Sequence, residues 1–210
     1  MAMEHTQLLL VNRSADEVWE WMKDARNVIG MNIFHERVEW DEPITRAGVR
    51  VPVPHNFFGL HRERRGVTVR AYRRYHVGFG EYKLKEEKGI DVFPHSQELT
   101  VVPVDDKRSI LVNHIRGVYV FPVPKFFREY LFRKYIPKIL HDDNCVCAVG
   151  VGAMSPDEIR KPFGLILWPA MVFFGGKFIK QSTRTRIIEQ AKSYKPTSKV
   201  EAGAGAGPGA

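Results

Sequence analysis

Cysteine is scarce in this chain: its 210 residues include only Cys145 and Cys147. Two cysteines with one residue between them make a poor intrachain disulfide and match no common metal-binding spacing. We therefore expect two buried free thiols, which suits a reducing compartment and favours a cytoplasmic location. The opening residues, MAMEHTQ, lack the long apolar stretch behind a basic start that a secretory signal has, so no such signal is expected.

The sequence motifs of common catalytic and metal sites are missing as well. The chain has no glycine-rich phosphate loop, no nucleophile elbow and no HExxH zinc motif. His141, Asp142 and Asp143 are adjacent in a predicted helix, where successive side chains point in different directions, so they are not expected to share an ion. The histidines that lack partners at metal-ligand spacing are His55, His61, His76 and His95. The sequence therefore predicts no metal site and no cofactor.

The chain carries a net charge of +8 at pH 7, with a pI of about 9.5. It has neither a dense basic helix nor an RNA-binding aromatic pattern, so no nucleic-acid partner is expected. An anionic membrane surface and simple solubility remain as explanations of the charge. The basic residues between positions 61 and 74 are predicted to lie either in a solvated hairpin or against anionic lipid head groups.

Local patterns in the first forty residues predict a strand, helices and a second strand. Residues 5–11 are predicted to form the first strand. Ser14 and Glu17 have the spacing of a helix-capping box, and apolar residues at helical spacing follow them. A second short helix is expected around residues 26–31, and the alternation of residues 34–40 is typical of a strand.

Strands dominate the middle of the chain and end with the clearest one, from Ile110 to Val120. Helical spacing returns after Pro124, and Pro137 is expected to kink or divide that helix. This order predicts an α+β fold, with a curved antiparallel sheet wrapped around a long C-terminal helix. The space between the sheet and the helix would form a pocket.

An interrupted apolar run occupies residues 162–179, with basic residues on both sides. It is shorter than a membrane span of about 20 residues and is broken by proline and glycine, so it is marginal for crossing a bilayer. A run of this kind needs cover from a core, a partner or a lipid interface. We therefore expect a folded domain over residues 1–154 and an apolar helical extension over residues 155–195. Residues 196–210 are expected to form a flexible tail or linker.

The segment Leu-Leu-Leu-Val-Asn-Arg-Ser-Ala-Asp-Glu-Val-Trp at residues 8–19 resembles the opening strand, turn and helix of the START and polyketide cyclase-like helix-grip (SRPBCC) superfamily. The resemblance covers about residues 4–153. It implies a pocket for a hydrophobic molecule between the sheet and the long helix. Some members of this superfamily only carry such a molecule, and others cyclise or dehydrate a bound polyketide. The Cys-x-His…Cys-x-x-His pattern of a Rieske iron–sulfur domain is missing here.

Two strand faces supply candidate site residues for such a pocket. His114 and Arg116 share a face with the valines of the late strand, so His114 is a candidate acid or base and Arg116 a candidate anion ligand. If this face is instead the outer one, both residues are solvated. Tyr75 is a second catalytic candidate that could donate a hydrogen bond to a ligand carbonyl, and Arg73 could bind an anionic group.

Three further residues complete the predicted ligand-binding set. Glu36 shares a face with Phe34 and is either a buried base with a raised pKa or an ion-paired glutamate at a strand edge. Tyr119 and Tyr130 are the other candidates. Because alternate residues of a strand face opposite ways, an error of one residue in register would invert these assignments.

The leading hypothesis is a protein that binds a hydrophobic small molecule, such as a lipid, an isoprenoid or a polyketide, and associates peripherally with an anionic membrane. The first alternative is a cofactor-independent cyclase, dehydratase or isomerase that acts on a polyketide-like substrate by acid/base catalysis. The second is that the apolar run packs in a homodimer interface.

Overall fold

The computed structural model of the chain describes residues 2–56, 62–84, 94–117, 124–155 and 158. Within these ranges the chain forms a strand, two short helices, five strands and a long helix. They are β1 (Met3–Val11), α1 (Ala15–Met22), α2 (Ala25–Gly30), β2 (Arg50–Asn56), β3 (Arg62–Arg73), β4 (His76–Lys83), β5 (His95–Pro103), β6 (Ser109–Gly117) and α3 (Lys125–Gly150).

The strands form one antiparallel sheet in the order β1-β6-β5-β4-β3-β2. Strands β2 to β6 pair with their neighbours in the chain, and β1 pairs with β6 to form one edge of the sheet. The predicted α+β class, with a curved antiparallel sheet and a long C-terminal helix, is confirmed.

Helix α1 begins at the predicted capping box. The Ser14 side chain accepts from the Glu17 backbone N–H at 3.2 Å, and the Glu17 carboxylate accepts from the Ser14 backbone N–H at 2.8 Å. These bonds satisfy two backbone donors that a helix start would otherwise leave open. The helix then buries an apolar stripe that includes Val18, Trp21 and Met22, which packs into the core against the sheet.

Helix α3 runs without a break from Lys125 to Gly150, so the expectation that Pro137 divides it is wrong. A proline removes the backbone donor to the carbonyl four residues earlier. That residue is Arg133, which is exposed, so water can take the place of the missing donor. The C-terminal half of α3 is buried and packs chiefly on β1 and β6. Cys145 and Cys147 lie in this half as buried free thiols, as predicted.

The strand predicted over residues 34–40 does not form; only His35 makes an isolated β-bridge, to His55. The segment instead lies along β2 with irregular bonds, in which Glu36 N donates to Pro54 O and Glu39 N donates to Pro52 O. The two prolines of β2 have no N–H to return, so no complete ladder can form along this edge.

Within the described ranges no helix has both the length and the apolarity needed to cross a bilayer. The apolar run at residues 162–179, the rest of the predicted extension beyond residue 158, and the predicted tail lie outside the described residues.

Candidate functional site

A set of polar and charged side chains lies in the interior, on the inner face of the sheet and on the segments that cover it. A polar group in an apolar interior is costly unless it is hydrogen-bonded, so such a set requires a partner for each group. Among the residues that the structure describes, the buried polar and charged ones are Asn32, His35, His55, Arg65, Glu81, Gln97, Ser109, Asn113, Asp142, Asp143 and Asn144.

Glu81 lies at the centre of a cluster of buried histidine and arginine side chains. Its Oε1 lies 2.8 Å from His35 Nε2 and 3.3 Å from His95 Nε2. Its Oε2 lies 3.2 Å from His55 Nε2 and 3.5 Å from Arg65 Nη1. Each of these side chains is at most 8% exposed. Arg65, one of the basic residues predicted to face solvent or lipid, therefore lies inside the protein.

The sheet register explains how distant residues meet in this Glu81 cluster. Glu81 of β4 pairs with Val67 of β3, two residues beyond Arg65 on the same inward face. Arg65 pairs in turn with Val53 of β2, and His55 is the next inward residue of that strand. The β-bridge to His55 then brings His35 in from the segment after α2.

Backbone carbonyls hold both imidazole rings from behind. His35 Nδ1 lies 2.5 Å from the carbonyl oxygen of Ile29, and His55 Nδ1 lies 2.9 Å from the carbonyl oxygen of Val53. A carbonyl oxygen only accepts hydrogen bonds, so each Nδ1 carries a hydrogen and each Nε2 points at Glu81. The ring orientations are therefore fixed by the fold before any ligand arrives.

Burial and the neighbouring side chains set the protonation states of His35 and Glu81. Burial, together with the neighbouring His55 ring, lowers the pKa of His35 to about 4. Burial alone would raise the pKa of Glu81, but the imidazoles of His95, His55 and His35 hold that pKa well below its ordinary value. Glu81 is therefore a buried carboxylate and His35 a neutral imidazole at neutral pH.

A second polar network ties α3 to the sheet. Asp143 accepts from the backbone N–H of Ile33 at 3.1 Å and from Gln97 Nε2 at 2.9 Å. The same Gln97 Nε2 lies 3.0 Å from Asn113 Oδ1, and Gln97 Oε1 accepts from Asn32 Nδ2 at 3.4 Å. Burial raises the pKa of Asp143 to about 8, so this acid is largely protonated at pH 7.

Some buried polar atoms near α3 have no hydrogen-bond partner among the described residues. They are Nδ2 of Asn113 on β6, both amide atoms of Asn144 on α3, and Nε2 of His5 on β1. An unmet buried polar group costs about 1–3 kcal/mol, so native proteins usually supply a water or a ligand at such a place. The three residues lie on three elements that pack against one another.

The structure places His114 and Arg116 on the outer face of the sheet, which corrects the expectation that their face lines the pocket. The buried residues of β6 are Ser109, Leu111, Asn113, Ile115 and Gly117, which alternate with them. His114 Nδ1 lies 2.9 Å from the hydroxyl of Thr6 on the neighbouring strand. The alternative of a solvated outer face therefore describes this strand.

A β-bulge between Val69 and Ala71 interrupts the alternation that was expected to keep Arg73 and Tyr75 on the face of Val67 and Val69. Arg73 is exposed. Tyr75 lies in the β3–β4 turn with a φ of 65°, in the left-handed region that non-glycine residues rarely adopt. Its hydroxyl donates to Asp16 Oδ1 at 2.6 Å, so it pins the turn to the start of α1. The two predicted catalytic residues, His114 and Tyr75, are not brought together.

The remaining predicted residues are also outside the Glu81 cluster. Glu36 is exposed and accepts from Asn56 Nδ2 at 2.6 Å, which agrees with a glutamate at a strand edge and not with a buried base. Tyr130 is 51% exposed on α3. Tyr119 lies outside the described residues.

Sequence reasoning missed His35, His55 and Glu81 because they come from three different elements with no local spacing motif. One signal was present in the sequence. His55 continues the alternation of Val51 and Val53, and Glu81 continues that of Phe79, so both sit where an apolar inward residue is expected.

A surface cleft of about 550 Å³ lies at the opposite end of β5 and β6 from His95. Its lining is polar and charged, so it suits an apolar ligand poorly. The lining residues are Asn12, Arg13, Glu17, Asp105, Asp106, Lys107 and Arg108.

Comparison with protein-family models and with curated protein sequences finds no match. Solved structures do match. A START superfamily protein from Mycobacterium smegmatis is similar over 67% of this chain and 93% of its own, with 13% identity and a TM-score of 0.50. Norcoclaurine synthase from Thalictrum flavum, solved with dopamine and hydroxybenzaldehyde, is similar over 74% of this chain and 90% of its own, with 13% identity and a TM-score of 0.50.

The di-domain ARO/CYC StfQ from the steffimycin biosynthetic pathway has a TM-score of 0.55. It is 7% identical and is covered over 49% of its length by 70% of this chain. At these identities the likeness shows the fold alone. The chain therefore has the START-like helix-grip fold that its opening segment resembles.

Proposed function

We propose that the protein binds a hydrophobic small molecule with at least one hydrogen-bonding group, in the interior between the sheet and α3. The observation that carries this proposal is the buried Asn113 side chain. Its Oδ1 is paired with Gln97, while its Nδ2 donor has no partner among the described residues. A ligand carbonyl, hydroxyl or carboxylate at this place would accept that hydrogen bond.

The surroundings of Asn113 favour a ligand that is mostly apolar. The same inner face carries Leu111 and Leu99, and the facing half of α3 contributes Val146. Binding sites of small molecules in proteins are usually apolar with a few placed polar groups. The fold supports the proposal, since the structural neighbours include a protein solved with dopamine and hydroxybenzaldehyde.

A fluorescent apolar probe, 1-anilinonaphthalene-8-sulfonate, tests this proposal in the folded protein. We expect saturable binding by the wild type, and binding weakened about tenfold in Asn113→Leu, which keeps the branching of the side chain but removes its amide donor and acceptor. His114→Gln changes the next residue of the same strand on the outer face and should bind as the wild type does. Equal affinities for all three proteins would refute a ligand site at Asn113. Loss of binding in His114→Gln alone would instead place the ligand on the sheet face that carries His114.

We propose peripheral membrane association as a second property, on the basis of the N-terminal half of α3. Phe126, Phe127 and Tyr130 are 73%, 42% and 51% exposed there. They lie among Lys125 and other basic residues of the same helix, in a chain of net charge +8. Exposed aromatics beside cations are the pattern of a helix that lies on an anionic lipid surface.

Sedimentation with vesicles tests this second proposal. We expect the protein to sediment with vesicles that contain phosphatidylserine and to be released by salt, and the variant Phe126→Ser/Phe127→Ser to stay in solution. The variant Leu8→Ser/Leu10→Ser removes side chains that are 57% and 54% exposed on the outer face of β1, and it should sediment like the wild type. Equal sedimentation of both double variants would refute a role for α3.

The enzymatic alternative stays a prediction, without support from the placement of its residues. His114 lies on the outer face and Tyr75 in a hairpin turn, so the two cannot act on one substrate in the interior. The homodimer also stays a prediction, because the apolar run on which it rests lies outside the described residues.

A further inference from the structure

We propose that His35, His55 and Glu81 form a binding site for one divalent transition-metal ion, with Zn²⁺ as the first candidate. One ligating atom from each residue lies within 4.8 Å of the other two, and all three side chains are buried. Two imidazoles and one carboxylate are a common ligand set of catalytic zinc and of non-haem iron. This proposal goes beyond ligand binding at Asn113 and stands or falls independently of it.

The positions of the imidazole hydrogens are the first evidence for a metal site. The Nδ1 atoms of His35 and His55 face the carbonyl oxygens of Ile29 and Val53, which can only accept. A neutral imidazole has one N–H, so with that hydrogen on Nδ1 each Nε2 presents a lone pair. Both lone pairs point at the carboxylate of Glu81, at 2.8 and 3.2 Å.

Three acceptors that converge in a buried place repel one another unless a cation lies between them. One proton can join one imidazole to the carboxylate, but the other lone pair still faces an oxygen. Two protons or a single divalent ion would satisfy all three groups. The metal and the doubly protonated cluster are therefore the two competing states, and they can be told apart by experiment.

The spacing of the ligand atoms supplies the second reason. In a tetrahedral zinc site with bonds of about 2.0–2.2 Å, neighbouring ligand atoms lie about 3.3–3.6 Å apart. His35 Nε2 lies 2.8 Å from Glu81 Oε1 and His55 Nε2 lies 3.2 Å from Glu81 Oε2, and both separations are within about 0.8 Å of that range. An ion could therefore enter with small side-chain shifts and no rearrangement of the sheet.

The contacts that surround the three ligand side chains resemble those of known metal sites. Metal-binding histidines usually donate their second N–H to a carbonyl or carboxylate, as His35 and His55 do here. Arg65 lies 3.5 Å from Glu81 Oε2 and orients the carboxylate from the side. His95, at 3.3 Å from Glu81 Oε1, is the nearest further imidazole. Three protein ligands leave one position of a tetrahedral ion for water or for an oxygen of a bound molecule.

Metal analysis of tag-free protein tests the proposal. The protein is stripped with EDTA, reloaded with Zn²⁺ or Co²⁺ and desalted, and bound metal is measured by inductively coupled plasma mass spectrometry. We expect one ion per chain in the wild type and in His76→Gln, whose histidine lies outside the cluster. Affinity should fall by about 100-fold or more in His55→Gln and in Glu81→Gln.

Either of two results with folded protein would overturn the proposal. One is a folded wild-type protein that retains no ion and shows no change in melting temperature with added Zn²⁺, which would identify the cluster as a protonated one. The other is an ion held equally by the wild type and by folded Glu81→Gln. Should the variants fail to fold, zinc X-ray absorption of the loaded wild type decides the question. Two imidazoles and a carboxylate in the first shell support the site, and a shell without imidazole refutes it.

Discussion

Asp143 gives the sharpest prediction of pH dependence. Burial raises the pKa of its carboxyl from 3.8 to about 8 in the folded protein. Between these two values the folded state keeps a proton that the unfolded state has released, so stability falls as the pH rises. One proton of difference corresponds to about 1.4 kcal/mol per pH unit. Asp143 alone should therefore lower the free energy of unfolding by about 2–3 kcal/mol between pH 5 and pH 7.

Asp143→Asn removes this titration and keeps the shape of the side chain. Urea unfolding at pH 5, 6 and 7, in EDTA so that no cation alters the nearby charges, gives the free energy of unfolding of each protein. The difference between wild type and Asp143→Asn should move by about 2–3 kcal/mol in favour of the variant across this range. The exposed Asp105, whose pKa is lowered by its hydrogen bond with Arg108, is the matched control. Asp105→Asn should leave the pH dependence as it is in the wild type, and parallel wild-type and Asp143→Asn curves would refute the reasoning.

Three further substitutions test the packing, the capping and a second titration. A Cβ at Gly150 would lie 2.5 Å from Nε1 of the buried Trp21, so Gly150→Ala should lower stability by about 1–3 kcal/mol, whereas Gly30→Ala, with open space around it, should be neutral or slightly stabilising. Ser14→Ala should cost about 0.5–2 kcal/mol of stability in thermal melts, and Ser14→Thr should recover most of it. The hydrogen bond to the adjacent carboxylate raises the pKa of His141 to about 10, so the advantage of wild type over His141→Gln should be full below pH 6.5 and disappear as the pH rises through 10. Because that side chain is 41% exposed, the slope should stay well below that of a buried group, and a pH-independent difference would contradict the assignment.

Local signals in the sequence were sufficient for the order of elements, apart from the strand expected over residues 34–40. The bonds between Ser14 and Glu17 join residues three apart, so their pattern can be recognised without knowledge of the fold. The return of helical spacing after Pro124 likewise identified α3. The break expected at Pro137 does not occur because Arg133 is exposed, so water can bond to the carbonyl that lacks its backbone donor. The sequence does not reveal that exposure.

The choice of sheet face could not be made from alternation because both faces carry apolar residues. Leu8 and Leu10 are exposed on the outer face of β1, while Leu9 packs against the core. On β6 the apolar residues beside His114 resemble those beside Asn113, so either face could have been the inner one. On β3 the bulge after Val69 also broke the alternation from which the face of Arg73 and Tyr75 was predicted.

The Glu81 cluster was beyond sequence reasoning for a different reason. His35, His55 and Glu81 meet only through the register of β2, β3 and β4 and one isolated bridge. Each contact depends on long-range pairing that no short pattern encodes. Only the inward position of His55 and Glu81 in apolar alternations marked them as unusual.

The central claim, that this fold holds an apolar molecule between the sheet and α3, is tested most directly by native mass spectrometry of the protein purified from the cells that produce it. Organic extraction of the same sample identifies whatever is bound. The account predicts one apolar molecule with a hydrogen-bonding group per chain in the wild type, at reduced occupancy in Asn113→Leu and at full occupancy in His114→Gln. A wild-type protein that is empty and that also fails to bind 1-anilinonaphthalene-8-sulfonate would contradict it.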